Sequence, residues 1–399
     1  MNENGIGFPI FRMNDIKNAF LAEDELKYAD IPDDLLAEYK LERDDILFNR
    51  VNAEEFVGRT GIVKLIDHFV FASYLIRLRT KKNGIIKPDY LNIFLNSSYG
   101  IKQIRKFRRR AVNQANVNAE ELKQIRIPVL SLNIQEEISK LSNESWNQTE
   151  QSKSYYQQAE NFLLEELGFK DFRVEDDLSF VVNLSDVKSA KRVDADYFQP
   201  KYQKLVEQIE KHNAKLLGNL VSMKKGFEPG SEAYQEEGKL FIRVSSLSKF
   251  GIEDKDQKYL SDDLYGKLKV NFEPKIGEIL LTKDATPGIA YVLKEAVEGI
   301  ISGGMMRLKV NNDIDPEYLA LCISSLTGQM QAGRDAGGSI IAHWKPEQIK
   351  NLLIPVLPKP TQQKIAELVR KSHEARKKSK QLLEEAKRKV EEMIEEKSN

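Results

Sequence analysis

The spacing of apolar residues along this chain alternates between two periods, and the alternation occurs twice. Ile46 to Val51, Gly61 to Ile66 and Val70 to Arg79 are short runs rich in β-branched and aromatic residues, bounded by Gly, Asn or Asp. Such runs predict strands. A helix is predicted next, from Asp89 to about Ser98, with an acidic residue and Pro near its first turn. The succession then returns, with strands over Leu240 to Val244, Ile279 to Lys283, Ile289 to Leu293 and Met305 to Val310, and a helix from Pro316 to about Ser325. Each half is therefore expected to be an α+β module.

A long stretch of helix formers follows each module. Ile138, Leu141, Ser145, Gln148, Ser152, Tyr155, Ala159 and Phe162 fall at alternating steps of three and four, and so do Ile365, Leu368, Ser372, Ala375, Ser379, Leu382 and Ala386, with Met393 beyond one missing pair. This is a heptad seam. Its serines and Gln148 are weak core residues, which predicts close approach of two helices that need each other. A helix of ~35 residues is ~50 Å long, a spacer comparable to a turn of DNA. Either stretch alone also reads as a solvated surface helix or a dimerisation coil. Two equivalent helices behind two equivalent modules favour antiparallel pairing within one chain and pseudo-twofold symmetry.

The equivalence rests on an internal repeat. Ile127-Pro-Val-Leu-Ser-Leu-Asn-Ile-Gln matches Ile354-Pro-Val-Leu-Pro-Lys-Pro-Thr-Gln at an offset of 227 residues, and at that offset Ala115 meets Ala342 and Gly61-Ile-Val-Lys-Leu-Ile meets Gly288-Ile-Ala-Tyr-Val-Leu. With small shifts, Asp45-Ile-Leu-Phe-Asn-Arg matches Glu278-Ile-Leu-Leu-Thr-Lys, Arg77-Leu-Arg matches Arg307-Leu-Lys, and Pro88-Asp-Tyr-Leu matches Pro316-Glu-Tyr-Leu. Pro9-Ile-Phe-Arg-Met matches Leu240-Phe-Ile-Arg-Val, but about forty further residues precede the second block, from about Asp196, and only eight precede the first. The first module is thus shortened at its N-terminus or completed by chain from elsewhere. The expected division is a module over 1–132, a spacer helix over 133–168, a linker over 169–195, a second module over 196–358 and a second spacer helix over 359–399.

Composition narrows the functional classes. Lys plus Arg equals Asp plus Glu at 61 each, so the chain is no polycation that coats nucleic acid; DNA binding would need a local basic surface. One cysteine, Cys322, and four scattered histidines leave neither a disulfide nor a zinc cluster. The start Met1-Asn-Glu-Asn-Gly lacks the pattern of a secretion signal, and no apolar run reaches the ~20 residues that span a bilayer, so a cytoplasmic protein without membrane contact is expected.

Taken together, Gly277-Glu-Ile-Leu-Leu-Thr-Lys, Gly303-Gly-Met-Met-Arg-Leu, Gly337-Gly-Ser-Ile-Ile-Ala-His-Trp, Ile354-Pro-Val-Leu-Pro with Gln362-Gln-Lys-Ile-Ala, and Arg192-Val-Asp-Ala-Asp-Tyr-Phe-Gln-Pro give the chain a family likeness. It resembles the specificity subunits of type I restriction-modification systems over nearly its whole length. The resemblance implies two related target recognition domains and two long antiparallel helices. It also implies no catalysis and no cofactor of its own. Each domain would read half of a split site in double-stranded DNA, and the helices would set the gap. Two copies of an adenine-N6 methyltransferase subunit would dock on the helices, and a restriction and translocase subunit would join for cleavage.

The densest basic run supplies the strongest DNA-binding candidates: Lys102, Arg105, Lys106, Arg108, Arg109 and Arg110, followed by Asn113, Gln114 and Asn116. Arg and Lys bind phosphate and read guanine, while Asn and Gln read adenine. The aligned stretch of the second module offers Arg334, Ser339, His343 and Lys345, as two modules reading different half-sites require. Arg12 and Arg243 at matching strand ends, Arg50 and Lys283 at another matching pair, and Lys224 in the loop entering the second module complete the set. A solvated helix face is the competing reading of the basic run, and a structural surface charge that of each single residue.

The sequence carries no recognisable catalytic signature. There is no Asn-Pro-Pro-Tyr or Asp-Pro-Pro-Tyr for a flipped adenine, no Gly-rich loop for a methyl donor and no Walker-type Gly-Lys-Ser/Thr. Glu278 with Lys283 does not have the spacing of a nuclease acid-lysine pair. The rivals to a specificity subunit are a restriction-modification polypeptide whose catalytic part was lost or lies on another chain, and a coiled-coil adaptor, or an antagonist of such a complex, that does not read sequence.

Overall fold

The computed structural model describes residues 5–396 apart from 24–25, 54–55, 65–67, 83, 111–114, 171, 173–174, 255–256, 312 and 338–341, and apart from the side chain of Arg110. Two compact units emerge: Met1–Gln151 with Ala375–Asn399, and Ser152–Glu374. The two long helices, Leu132–Glu166 and Lys359–Glu396, each begin in one unit and end in the other. Among the described residues no helix is long and apolar enough to cross a membrane.

In the first unit a central sheet has the order Ile16–Lys17, Phe20–Leu21, Thr60–Ile62, Ile46–Asn49, Leu75–Leu78. Beside it, Phe8–Phe11 pairs antiparallel with Lys27–Ala29 and parallel with Val70–Phe71. The helices Pro88–Leu95 and Ser98–Phe107 follow. The first of these buries Tyr90, Ile93 and Phe94 against Ile46, Phe48 and Ile62. Every residue of Ile46–Asn49 is buried, as a strand covered on both faces requires.

The second unit repeats this plan. Its central sheet has the order Val221–Lys225, Met305–Val310, Ile279–Thr282, Ala290–Val292. Lys239–Ile242 pairs antiparallel with Lys258–Leu260 and parallel with Gly299–Ile301. Pro316–Ser324 and Leu326–Ala336 are the paired helices.

The register corrects one block of the repeat. Gly61 stands opposite Leu47 and Tyr291 opposite the equivalent Leu280, so Gly61 matches Tyr291 and not Gly288. The turn before Ala290–Val292 is therefore aligned three residues out when sequence alone is used.

The Ile-Pro-Val to Gln block has a physical role in both units. The Tyr90 hydroxyl donates to the Pro128 carbonyl at 2.5 Å, and the Tyr318 hydroxyl donates to that of Pro355 at 2.7 Å. Gln135 and Gln362, both fully buried, hold the entry to the long helices. Each accepts a backbone N–H, from Lys87 or Asp315, and donates to a carbonyl, of Leu130 or Leu357.

The helical seam forms in both units. In the first, Ser145 and Ser379 lie 3.1 Å apart at their hydroxyls, and each also donates to the other's carbonyl. Glu137 meets Lys389 further along, so the two helices run antiparallel. In the second unit, Ser152 and Ser372 meet at 3.2 Å. Small side chains let the backbones approach, and the reciprocal hydroxyl bonds satisfy groups that burial would otherwise leave unpaired. The helices bury more than the heptad predicts. Tyr156, Leu163 and Leu167 enter the second unit's core, while Tyr155 and Phe162 remain half-buried.

Candidate nucleic-acid interface

In each unit the central strand runs out of the sheet into a short ladder with a much later segment. In the first unit the strand Ile46–Asn49 leads to Arg50, whose carbonyl accepts the N–H of Val117 at 3.0 Å. Val51 and Asn52 then pair antiparallel with Asn116 and Ala115, and Arg109–Arg110 pairs with the far side of the same segment. In the second unit Ile279–Thr282 leads to Lys283, whose carbonyl accepts the N–H of Trp344 at 2.8 Å. Asp284 bridges His343, and the Ala285 N–H donates to the Ala342 carbonyl at 3.0 Å. The backbone frames are therefore the same, with Arg50 at the place of Lys283, Val51 of Asp284, Asn116 of His343 and Val117 of Trp344. The last pair anchors the frame, since Val117 and Trp344 are both fully buried.

The contents of the frames differ. In the first, Asn116 is exposed, and the half-buried Arg50 keeps its Nε without a hydrogen-bond partner among the described residues. In the second, Lys283 is only 9% exposed and its Nζ donates to Asp284 at 2.6 Å, while the His343 ring, whose side chain is 63% exposed, meets the other oxygen of Asp284 through Nδ1 at 2.9 Å. Burial of Asp284 would raise its pKa, but the bonds from Lys283 and His343 outweigh it and hold the carboxyl below the ordinary range. One frame thus offers a guanidinium and an amide, the donors and acceptors suited to guanine and adenine. The other offers a lysine, carboxylate and imidazole set in which the carboxylate can accept from a cytosine amino group.

The basic run splits between a helix and a ladder. On Ser98–Phe107, started by the Ser97 hydroxyl accepting the Gly100 N–H, the exposed side chains of Lys102, Arg105 and Lys106 fall one turn apart on a single face. Arg108 is half-buried at the helix end. Arg109 lies in the ladder and donates to Glu121 at 2.7 Å; a backbone bond from Asn118, together with Arg109, keeps that carboxyl below its usual range. The side chain of Arg110, and all of Asn113, Gln114 and Ser339, lie outside the described residues. Lys345 is exposed at the start of the helix Pro346–Lys350.

Residues 2–154 and 210–388 match the family of type I restriction modification DNA specificity domains. The chain belongs to that family. It is 25% identical to the type I restriction enzyme MjaX specificity subunit of Methanocaldococcus jannaschii, over 98% of this chain and 86% of that protein. It is 32% identical to the EcoKI specificity subunit of Escherichia coli over 24% of this chain and 21% of that one. Among solved structures, the type I system S subunit from M. genitalium matches over 98% of this chain and 90% of its own, with 14% identity and a TM-score of 0.43.

In this member of the specificity family, several other sequence candidates are engaged by the fold. Arg12 grips Asp15 through two hydrogen bonds of 3.1 and 3.0 Å and closes the turn after Phe8–Phe11. At the matching Arg243 the acid is replaced by Ser246, and the guanidinium meets the Ser245 hydroxyl at 3.3 Å. Lys224 is not in a loop: it lies in the strand Val221–Lys225, opposite Arg307, and its exposed side chain bonds Asn271. The alternation of that strand was broken in sequence by the Lys-Lys pair, which hid it. Arg334 stacks 4.3 Å over Tyr197 and donates to the Tyr197 carbonyl, pinning the chain that leads into the helix Pro200–Glu210.

Sequence reasoning missed Asp284, the residue that ties Lys283 to His343. Its signal lay in its position, immediately after a matched strand end. Also missed were two buried charge clusters, Lys64 with Asp89 and Ser142, and Lys294 with Glu317 and His373. Among the described residues no group of three or more His, Cys, Asp or Glu is placed to hold a metal ion.

Proposed function

We propose that the chain is the sequence-reading subunit of a type I restriction-modification complex, and that its two modules read the two halves of a split site in double-stranded DNA. One observation carries this reading: the same backbone frame recurs in both units with Arg50 and Asn116 in one and Lys283, Asp284 and His343 in the other. A pair of equivalent frames holding different side chains is what two different half-sites need. The exposed face of Lys102, Arg105 and Lys106 supplies phosphate contacts that set register without specifying bases.

On this reading the target recognition domains are 1–132 and 196–358, joined through 169–195, and the helical segments 133–168 and 359–399 carry two adenine-N6 methyltransferase subunits and the restriction subunits. The chain itself performs no bond chemistry; positioning is its contribution to both reactions.

Co-expression with an adenine methyltransferase subunit of such a system, followed by mapping of methylated adenines, tests the proposal. A single split motif is expected, and exchanging residues 1–126 for those of another family member should change one half of it and leave the other. Methylation at a contiguous motif would overturn the two-module reading. Strong, salt-dependent but sequence-blind binding would favour the adaptor instead.

A further inference from the structure

Asp284 stands in the second frame where the first has Val51, whose side chain makes no hydrogen bonds. Its carboxylate is held from two directions. The Gly304 carbonyl accepts the backbone N–H of Lys283 at 2.9 Å and of Asp284 at 3.3 Å, which fixes where the side chain starts. One carboxylate oxygen then accepts from Lys283 Nζ at 2.6 Å, and the other meets His343 Nδ1 at 2.9 Å. Burial favours the neutral acid, but these two bonds keep the carboxyl below its ordinary range, and an ionised carboxylate only accepts. A neutral imidazole carries hydrogen on one nitrogen and accepts on the other, so the hydrogen of the His343 ring belongs on Nδ1. Nε2 is left as an acceptor. It has no hydrogen-bond partner among the described residues, on a side chain that is 63% exposed. The backbone beneath the ring is pinned on either side, by the Ala285 N–H on the Ala342 carbonyl and the Trp344 N–H on that of Lys283. The first frame needs no such device, because the Asn116 amide carries donor and acceptor together.

We infer that Asp284 is a positioning residue that sets the reading polarity of the second half-site: it holds His343 with Nε2 as an acceptor, and that atom takes a hydrogen bond from the exocyclic amino group of an adenine or cytosine in the major groove. The inference rests on the chain's being a DNA-reading subunit and adds the class of base that His343 selects. Lys283 makes the polarity reversible by a single substitution. In Asp284→Asn the lysine, which only donates, takes the amide oxygen, so the amide nitrogen donates to Nδ1 and the ring hydrogen moves to Nε2. The reading atom becomes a donor, suited to guanine or to thymine O4.

Two measurements test this, both at about pH 8.5, where an ordinary imidazole is neutral. Nitrogen NMR of the full chain labelled at histidine should place the His343 hydrogen on Nδ1, and on Nε2 in Asp284→Asn, with His343→Ala identifying the signal. In the second, the chain assembled with adenine methyltransferase subunits acts on a random-sequence duplex library, and methylated adenines are mapped. The wild type should restrict one position in one half of the motif to adenine or cytosine on one strand. Asp284→Asn should shift that position towards guanine or thymine by about tenfold and leave the other half unchanged, while Asp284→Ala should relax it without a new preference. The same ring tautomer in the wild type and Asp284→Asn would overturn the inference. So would methylation lowered at all sites alike with base preferences intact, the mark of a merely structural carboxylate. A wild-type map without a split motif would overturn the DNA reading itself and this inference with it, whatever tautomer the NMR shows.

Discussion

In the first unit a buried lysine, Lys64, donates to Asp89 on the helix Pro88–Leu95, and Ser142 of the long helix donates to the other side of that carboxylate at 2.7 Å. In the second unit the equivalent places hold Lys294 and Glu317, and the long helix presents His373, whose counterpart in the first unit is Trp146. Each cluster ties the end of the central sheet to the first module helix and to the long helix behind it. The arrangement was kept while the chemistry diverged. Lys64 keeps only 2% of its side chain exposed, whereas Lys294 keeps 33%. A buried ion pair is costly to break because the remaining charge stays dry, and that cost depends on whether the survivor can reach water.

The largest expected effect follows from this difference. Asp89→Ala should destabilise the first unit by about 3–5 kcal/mol, since among the described residues Lys64 would be left with Asp44 at 3.5 Å as its one acidic partner. Glu317→Ala should cost the second unit about 1–3 kcal/mol, because Lys294 can turn to solvent. Each unit contains one tryptophan, Trp146 packed on Phe20 and Trp344 fully buried, so urea unfolding of the Trp344→Phe and Trp146→Phe backgrounds reads the units separately. Equal losses, or a larger loss for Glu317→Ala, would show that the clusters do not differ as described.

Acid should separate the units next. Burial, with the charge of Lys294 beside it, pushes His373 down from 6.5 to about 4. Its neighbours are Lys294, the Glu317 carboxylate at 3.8 Å and the Tyr291 ring at 5.3 Å. The folded pKa lies below the unfolded one, so between these values the unfolded chain binds more protons. The contribution of neutral His373 is present above about pH 6.5 and is lost as pH falls towards 4, by at most about 3 kcal/mol. Trp146 cannot titrate. Unfolding followed at Trp344 from pH 7 to 4 should show a slope that His373→Phe removes; a slope unchanged by that substitution would assign it to other groups.

Much of this was legible in the chain, for a physical reason: strands buried on both faces and helices opened by Pro and an acid leave strong local patterns, and repetition doubled them. Ile46–Asn49, Ile279–Thr282 and Pro316–Ser324 lie within the segments read from sequence, and Pro88–Leu95 begins one residue ahead of its expected start at Asp89. The serine seam was legible because serines recur at matching heptad positions of both long helices. Val221–Lys225 was not, since its exposed Lys pair broke the alternation. The buried clusters were hidden because their members come from three distant segments, and the Gly61 block was aligned at the wrong offset, which placed Lys64 against Tyr291 and not Lys294. Of the candidate site, the matched pairs Arg50 with Lys283 and Ala115 with Ala342 located the frame. The contact of Arg334 with Tyr197 was not legible because nothing local marks Tyr197 as its partner.

The frames themselves offer a subtler comparison. Asn116 and His343 are exposed, so truncating them spares the fold. Asn116→Ala and His343→Ala should each weaken binding to the methylated motif's own sequence by about 1–3 kcal/mol and relax one base position, in opposite halves of the motif. Methylation maps of the two variants check this; relaxation of both in the same half would mean that the frames do not serve separate half-sites.

The smallest expected effect concerns the hydroxyls that hold the two helix entries. Tyr90 and Tyr318 make the same bond to a proline carbonyl, but Pro355 is buried and Pro128 only half-buried. Losing the donor leaves the Pro355 carbonyl dry, whereas water can replace the hydroxyl at Pro128. Tyr318→Phe should therefore cost about 1–2 kcal/mol and Tyr90→Phe about 0.5 kcal/mol, measured at Trp344 and Trp146 respectively. Burial pushes both phenols well above their ordinary pKa, so neither ionises below pH 9 and the two losses should be constant from pH 7 to 4. That constancy distinguishes them from the His373 effect. If Tyr90→Phe proved the more costly, the first unit's helix entry would be the drier of the two.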